Sequence, residues 1–536
     1  MYKPIVTINE EERIFEINHS NGRPEINLAT VFKNLPATII DKQTLLLTQL
    51  GDLHQTMDHA TTGTGSATLF RSLMQPPTSL ELILAKQDSV RELESNGRLR
   101  DAITDYLREF KEGENALFKF LNEKIDFRFP YGDFRAAMKA GRNIIKSSQS
   151  IPNPESAYAR TLVDEIKNFE SSPVYRLMRG PIYRTFSGLK SKEDINFLTP
   201  RWRFRPTSMT LGSMGGPLTL AGLIGGTSAG LIERGMPTAP YAAGAMIWTV
   251  MGLMYGSIMK PNLDYETVID PLWIKSISDK PFISAIDSVG KLDELISFIA
   301  YAKAMPHTTT MPTVTDGDTH YFMAQNMRNP IQAKENPEYV PNSVNLNGAR
   351  LTFITGPNSG GKTTYCKSLF QNQLLGQIGS YVVASEASMN IADRMAYQAP
   401  QFDALQDEEG RFGTELKRTK DIFYATSPKS LVILDELAEG TTIEEKMQQS
   451  RIILNGFHTI GNNTIQVTHN HALVDNFRGR GVGQYLQVGF DGKTPTHRLT
   501  EGISRESHAD RVAEKIGFSE MDIQKYLIEK GYTSNT

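Results

Sequence analysis

Hydrophobic and polar positions follow three regimes along the chain. From about Ala60 to Asn168 apolar residues recur every three or four positions with charges between them, which predicts amphipathic helices. One of these runs opens after Pro76-Pro77 with Ser79 as its N-cap, and Leu82, Val90 and Leu93 fall on its apolar face. Leu162 to Leu177 predicts either one helix or a pair broken at Pro173. Residues 286–304 return to an amphipathic helical pattern, and 306–350 are turn-rich with short strands. From Leu351 onward short β-rich runs alternate with helical stretches, which predicts a largely parallel sheet covered by helices. Residues 1–58 mix brief alternating runs with turn residues and are expected to form a small N-terminal module.

The segment 211–259 follows none of these patterns. It holds an uncharged run of 22 residues (211–232), a short turn carrying Glu233 and Arg234, and a second uncharged run of 19 (241–259). Both runs have the length needed to span a bilayer, and the glycines Gly216, Gly222, Gly225, Gly226 and Gly230 would let two such helices approach closely. Arg201, Arg203 and Arg205 before the pair, and Lys260 after it, would place both ends on the cytoplasmic side. Gly, Ser and Thr dilute the hydropathy, so a buried glycine-rich hairpin competes with the transmembrane pair, and both expectations stay open.

Composition narrows the setting. A chain of 536 residues has room for several domains. Its net charge of −3 supplies no global basic field, so any nucleic-acid contact must be local. The single cysteine, Cys366, excludes an intrachain disulfide framework and reads as a small core residue. The polar, acidic N-terminus lacks a signal-peptide core, and a cytoplasmic protein is expected, anchored to the inner face of the cell membrane if 211–259 spans it.

The chemistry gathers in the C-terminal half. Leu351 to Thr355 leads into Gly356-Pro357-Asn358-Ser359-Gly360-Gly361-Lys362-Thr363 and then a helical stretch, which is the G-x-x-x-x-G-K-[ST] pattern in a strand–loop–helix context. Such a loop turns backbone N–H groups toward phosphate oxygens, with the helix N-terminus adding partial positive charge. Lys362 would reach the β- and γ-phosphates of ATP, and the Thr363 hydroxyl would ligate Mg²⁺. A second apolar run, Leu431 to Leu434, ends in Asp435-Glu436. Asp435 is expected to hold Mg²⁺, directly or through water, and Glu436 to orient or deprotonate the attacking water. Gly440-Thr441-Thr442 is a polar turn suited to contact across an interface. Thr464 to Val467 ends at Thr468-His469, where an imidazole can sense the γ-phosphate or position water. Tyr339, 17 residues before Gly356, is placed either to stack on adenine or to pack in a core. Lys417, Arg418 and Lys420 form a basic cluster read as a solvated helix face.

The runs GPNSGGKTT, LVILDELAEGTT and VTHN, in this order and spacing, resemble the ATPase domain of the MutS family of DNA mismatch-repair proteins. Upstream, GSATLFRSLMQPP and KQDSVREL are similar to the start of that family's helical lever, and Lys291 to Ala304 to its end; Ser504 to Phe518 resembles its closing turn and helix. The resemblance implies an α/β P-loop NTPase domain of the ABC type at the C-terminus, preceded by a mostly α-helical lever domain. The expected boundaries are 1–58 for the N-terminal module, 59–315 for the lever interrupted by 211–259, and 316–536 for the ATPase domain. It also implies phosphate binding by Gly356 to Thr363, Mg²⁺ at Thr363 and Asp435, water activation by Glu436, γ-phosphate sensing by His469 and an adenine-stacking aromatic at Tyr339. Family members work as dimers on DNA with composite ATP sites, so a homodimer and DNA are the implied partners.

Departures from the family pattern bear on what the engine acts on. The signature loop that completes a partner's ATP site reads Gly410-Arg411-Phe412-Gly413-Thr414-Glu415, without the usual Ser-Thr pair. No Phe-x-Glu wedge for reading mismatches occurs in residues 1–58, the position of the DNA-gripping clamp holds 211–259, and the family's C-terminal dimerisation extension is expected to be missing. The expectation is an ATP-driven conformational switch acting on DNA, in mismatch repair or recombination. The alternative is a membrane-tethered regulatory ATPase with no repair role. A transporter's nucleotide-binding subunit is argued against by the lack of a Leu-Ser-Gly-Gly-Gln-like signature.

Overall fold

The computed structural model describes residues 39–122, 130–207, 247, 254, 259–357, 360–400, 410–437, 443–491, 494–505, 516–530 and 532. They divide into two compact units, one drawn from 59–69 and 88–297 and the other from 37–58, 70–87 and 298–536.

The first unit is mostly helical. Two of its helices, Gly97–Asn122 and Tyr131–Ser148, lie against each other, and a Cβ at Gly113 would come within 2.6 Å of that of Ala140, so the glycine permits the close approach. The break at Pro173 falls where its ring demands. Helix Ala157–Asn168 ends, and helix Pro173–Arg179 begins with proline in its first turn and the Ser172 hydroxyl accepting the Val174 N–H. A small antiparallel sheet follows, β1 (Tyr183–Thr185), β2 (Gly188–Lys190) and β3 (Trp202–Arg203), in the order β2-β1-β3.

Two sequence expectations are corrected. In helix Leu80–Ser95, capped by Ser79 as expected, Ile83, Val90 and Leu93 are fully buried while Leu82 is 40% exposed, so the inward stripe runs through 83. Helix Lys280–Ala304 is not amphipathic but buried on nearly all sides. Its polar residues are inside because they have partners. Asp293 accepts the Thr61 and Thr62 N–H groups and the Thr62 hydroxyl at 2.7–3.0 Å, and the Ser297 hydroxyl accepts the His59 N–H. Glu114 takes the Gly63 and Thr64 N–H groups in the same way, so two buried carboxylates satisfy the head of helix Gly63–Met74. The apolar pair 211–259 lies outside the described residues apart from Ile247, Met254 and Met259; among the described residues no helix is long and apolar enough to cross a membrane.

The second unit is an α/β layer structure. Its smaller mixed sheet contains β4 (Thr313–Thr315), β5 (Phe322–Met327), β6 (Asn342–Asn345) and β8 (Glu386–Asn390), in the order β4-β8-β5-β6. The larger sheet contains β7 (Leu351–Thr355), β9 (Met395–Gln398), β10 (Leu431–Asp435), β11 (Asn463–Val467), β12 (Gln484–Asp491) and β13 (Thr494–Glu501), in the order β13-β12-β7-β11-β10-β9. All its pairings are parallel except β12 with β13. The central strands β7, β10 and β11 are buried along their whole length, as both-sided cover by helices requires. Leu351, Phe353, Val432, Leu434, Leu454, Phe457 and Phe477 form the core beneath one face.

Residues 40–57, expected as part of a separate module, belong to this second unit. Ile40 bridges Met395, Asp41 caps helix Lys42–Leu47, and Thr44 hydrogen-bonds the backbone of Tyr397. Arg418 is likewise not on a solvated face. It pairs with Asp41 at 3.1 Å and donates to the Tyr397 carbonyl at 2.8 Å, while Lys417 and Lys420 are exposed.

His320 ties the two sheets of this unit. Its Nδ1 lies 3.0 Å from the Asn463 amide nitrogen, which also donates to the His320 carbonyl, and complete burial pulls the imidazole down to about 4 from 6.5. A folded-state value below the unfolded one means the unfolded chain binds the extra proton. The stability due to the neutral ring is therefore complete above about pH 6.5 and is lost as pH falls toward 4. The loss reaches about 2 kcal/mol by pH 5. His320→Gln is expected to flatten the fall in melting temperature between pH 7.5 and 5; an unchanged slope would exclude His320 as its source.

Candidate functional site

Parallel pairing brings the carboxyl ends of β7, β10 and β11 to one edge of the large sheet, where they lead into Gly356, Glu436 and Thr468. β7 runs into Gly356, whose φ of +132° only glycine adopts freely. A Cβ at Gly356 or Gly360 would come within 2.7 or 2.6 Å of the Val488 Cγ2 on β12, so that valine fills the floor of the turn. Gly361, at φ +90°, is the N-cap of helix Lys362–Gln377, whose free N–H groups open toward the loop. Pro357 accepts the Gly360 N–H, and Asn358 and Ser359 lie outside the described residues.

Lys362 is buried, and its Nζ donates to the Gly356 carbonyl at 2.6 Å. Burial pulls its pKa down, with the Glu436 and Asp435 carboxylates opposing. Thr363 donates its hydroxyl to Asp435 Oδ2 at 2.9 Å, and the same oxygen accepts the Tyr397 hydroxyl at 3.1 Å. Burial raises the Asp435 carboxyl, against the pull of these two donors. Glu436 has φ +60°, a region that costs a non-glycine residue on the order of 1 kcal/mol, and its N–H donates to the Val467 carbonyl at 3.0 Å. That twist turns its side chain toward His469, whose Nε2 stands 3.3 Å from both Glu436 Oε1 and Lys362 Nζ. His469 itself sits between the end of β11 and Asn470, which caps helix His471–Gly479.

Beside the loop lies a cavity of about 430 Å³, lined by Tyr339, Asn342, Gly361, Thr363, Thr364 and His497 among others. Asn342 fixes His497 by donating to its carbonyl at 3.0 Å and accepting the Leu499 N–H at 2.7 Å. The structure thus brings together Gly356, Pro357, Gly360, Gly361, Lys362, Thr363, Asp435, Glu436 and His469, with Tyr339 alongside. Sequence reading missed Tyr397, Val488 and His497, which lie in strands without a motif. The stretch expected as a signature loop is, from Gly410, the first turn of helix Gly410–Tyr424, with Glu415 buried. Gly440, Thr441 and Thr442 lie outside the described residues. Cys366 is fully buried, and burial pushes its thiol well up, in keeping with a core residue.

Two matches with known proteins fall on this architecture. Residues 32–393, well over half of the chain, match MutS domain III, and residues 352–526 match MutS domain V. The chain belongs to the MutS family. MutS domain V is the family's α/β ATPase domain, and here as in the family a helical region precedes it. The chain is 28% identical over 266 residues to the DNA mismatch repair protein MutS of Haloquadratum walsbyi, covering 48% of this chain and 28% of that protein. It is 30% identical over 237 residues to the DNA mismatch repair protein MutS of Shouchella clausii (43% and 27%). It is 31% identical over 253 residues to the DNA mismatch repair protein MSH3 of Coccidioides immitis (44% and 22%). The matched part spans between a fifth and a third of the length of these relatives.

Proposed function

We propose that the chain is an ATP-hydrolysing conformational switch of the MutS family that acts on DNA, in mismatch repair or recombination, as a dimer with composite ATP sites. The observation that carries this reading is the convergence of Lys362, Thr363, Asp435, Glu436 and His469 on the loop Gly356 to Thr363. In this reading the backbone of Gly356, Pro357, Asn358, Ser359, Gly360 and Gly361 cradles the phosphates. Lys362 exchanges the Gly356 carbonyl for β- and γ-phosphate oxygens.

Thr363 and Asp435 fit Mg²⁺. A hydroxyl and a carboxylate, both hard oxygen donors, already face each other at the head of the helix. When bound, the ion would neutralise charge on the phosphates. Glu436 accepts a proton from water as the water oxygen bonds to the γ-phosphorus and the bond to the β–γ bridging oxygen breaks, releasing ADP. His469, next to both Glu436 and Lys362, registers whether the γ-phosphate is present.

Tyr339 and His497 line one cavity and are proposed to hold the adenine between them. Loss of base stacking costs about 1–3 kcal/mol, so Tyr339→Ala and His497→Ala are each expected to weaken ATP about tenfold. Inorganic tripolyphosphate, which has no base, is expected to bind these variants as it binds the wild type. Equal losses for both ligands would remove the two residues from base recognition.

The reading of DNA as partner is tested by titrating the purified chain with homoduplex, mismatched and branched DNA across a salt series, with ATP turnover followed in parallel. Expected are binding that weakens with salt and a change in turnover on DNA addition. Turnover unaffected by any of the three DNAs, with no binding at low salt, overturns it.

A further inference from the structure

We propose that Tyr397 is a positioning residue for the magnesium-binding carboxylate, and that residues 41–44 brace it from outside the sheet. The inference rests on the nucleotide site proposed above and adds to it a residue and a segment that the phosphate-binding pattern does not contain.

Tyr397 lies on β9, the edge strand of the large sheet beside β10, with its ring fully buried. Its hydroxyl donates to Asp435 Oδ2 at 3.1 Å, the oxygen that also accepts the Thr363 hydroxyl at 2.9 Å. Two donors on one oxygen fix the rotation of the carboxylate and direct its other oxygen away from them. A carboxyl end on a strand has two free side-chain torsions, so without the phenol only Thr363 would set its orientation. Thr363 is itself expected to share its oxygen with the ion.

The backbone of Tyr397 is held as tightly as its ring. Its N–H donates to Thr44 Oγ1 at 3.0 Å, and its carbonyl accepts Arg418 Nη2 at 2.8 Å. Arg418 in turn pairs with Asp41, and Asp41 receives the Thr44 hydroxyl at 2.7 Å and caps helix Lys42–Leu47. An edge strand would otherwise present unpaired backbone groups on its outer side. Here Asp41, Thr44 and Arg418 occupy that side at the residue that touches Asp435. Core packing alone would be served by phenylalanine and would not require the hydroxyl to end on the carboxylate.

The test is nucleotide binding as a function of magnesium, with the full chain and a fluorescent ATP analogue. Tyr397→Phe keeps the ring and removes only the donor. It is expected to leave magnesium-free affinity within about twofold of wild type and to raise the magnesium concentration for half-maximal tight binding about fivefold to tenfold, within the net worth of one ordinary hydrogen bond. Thr44→Val is expected to shift the dependence in the same direction by less, and Thr44→Ser to restore it. Wild-type magnesium dependence in Tyr397→Phe overturns the inference alone, whatever the Thr44 variants show. A wild-type chain that binds no nucleotide overturns the proposed site and the inference with it.

Discussion

Glu436→Gln is expected to bind ATP within about twofold of wild type and to lose hydrolysis by a factor of about 10²–10⁴, the range a positioned general base supplies. The substitution keeps the size of the side chain and its polar end, so the approach to His469 at 3.3 Å is preserved while the basic oxygen pair is lost. It also leaves the φ +60° backbone as it is, because glutamine and glutamate bear the same steric strain there. Affinity is measured with a fluorescent ATP analogue and turnover by phosphate release under single-turnover conditions. Undiminished turnover removes Glu436 from the mechanism and leaves His469 as the residue to examine.

Lys362→Ala is expected to weaken ATP by at least about 100-fold and with it to abolish turnover at ordinary nucleotide concentrations. Two charge-assisted hydrogen bonds to phosphate are lost, each worth about 1.5–3 kcal/mol. In the resting site the Lys362 ammonium is buried against the Gly356 carbonyl, with the Glu436 and Asp435 carboxylates nearby. Its removal also takes away a positive charge that acts on those acids, leaving a repulsion that the incoming triphosphate would meet. Binding by calorimetry separates the two variants, Glu436→Gln keeping the heat of ATP binding and Lys362→Ala losing it. Near-normal affinity in Lys362→Ala would exclude the loop as the phosphate site.

How far the sequence could be read depended on whether a residue's role is set locally. Gly356, Gly361, Lys362 and Thr363 act through the turn that contains them, so their spacing is enough. Asp435 and His469 follow from the rule that parallel strands deliver their carboxyl ends to one edge, which the alternation after Leu351 already predicts. Tyr397 and His497 act through register and strand order, which no local pattern encodes. The helix Lys280–Ala304 misled for a related reason. Its Asp293 and Ser297 look like a solvated face until the N–H groups of Thr61, Thr62 and His59, far away in the chain, are seen to take them. Arg418 looks like part of a solvated face for the same reason, since Asp41 becomes its partner only once residues 40–44 lie along β9.

The contact of Val488 with both Gly356 and Gly360 has a consequence for how this loop can vary. The three positions share one volume, so a methyl group gained at 360 has to be given up at 488. The branched valine that the pleat of β12 favours thus acts as a gauge on the loop. Any larger side chain there would lift the two glycines away from the sheet, and any smaller one would leave a void under the backbone that has to face the phosphates. Drift at 488 and at the loop is therefore expected to be concerted, with the strand setting the depth of the cradle.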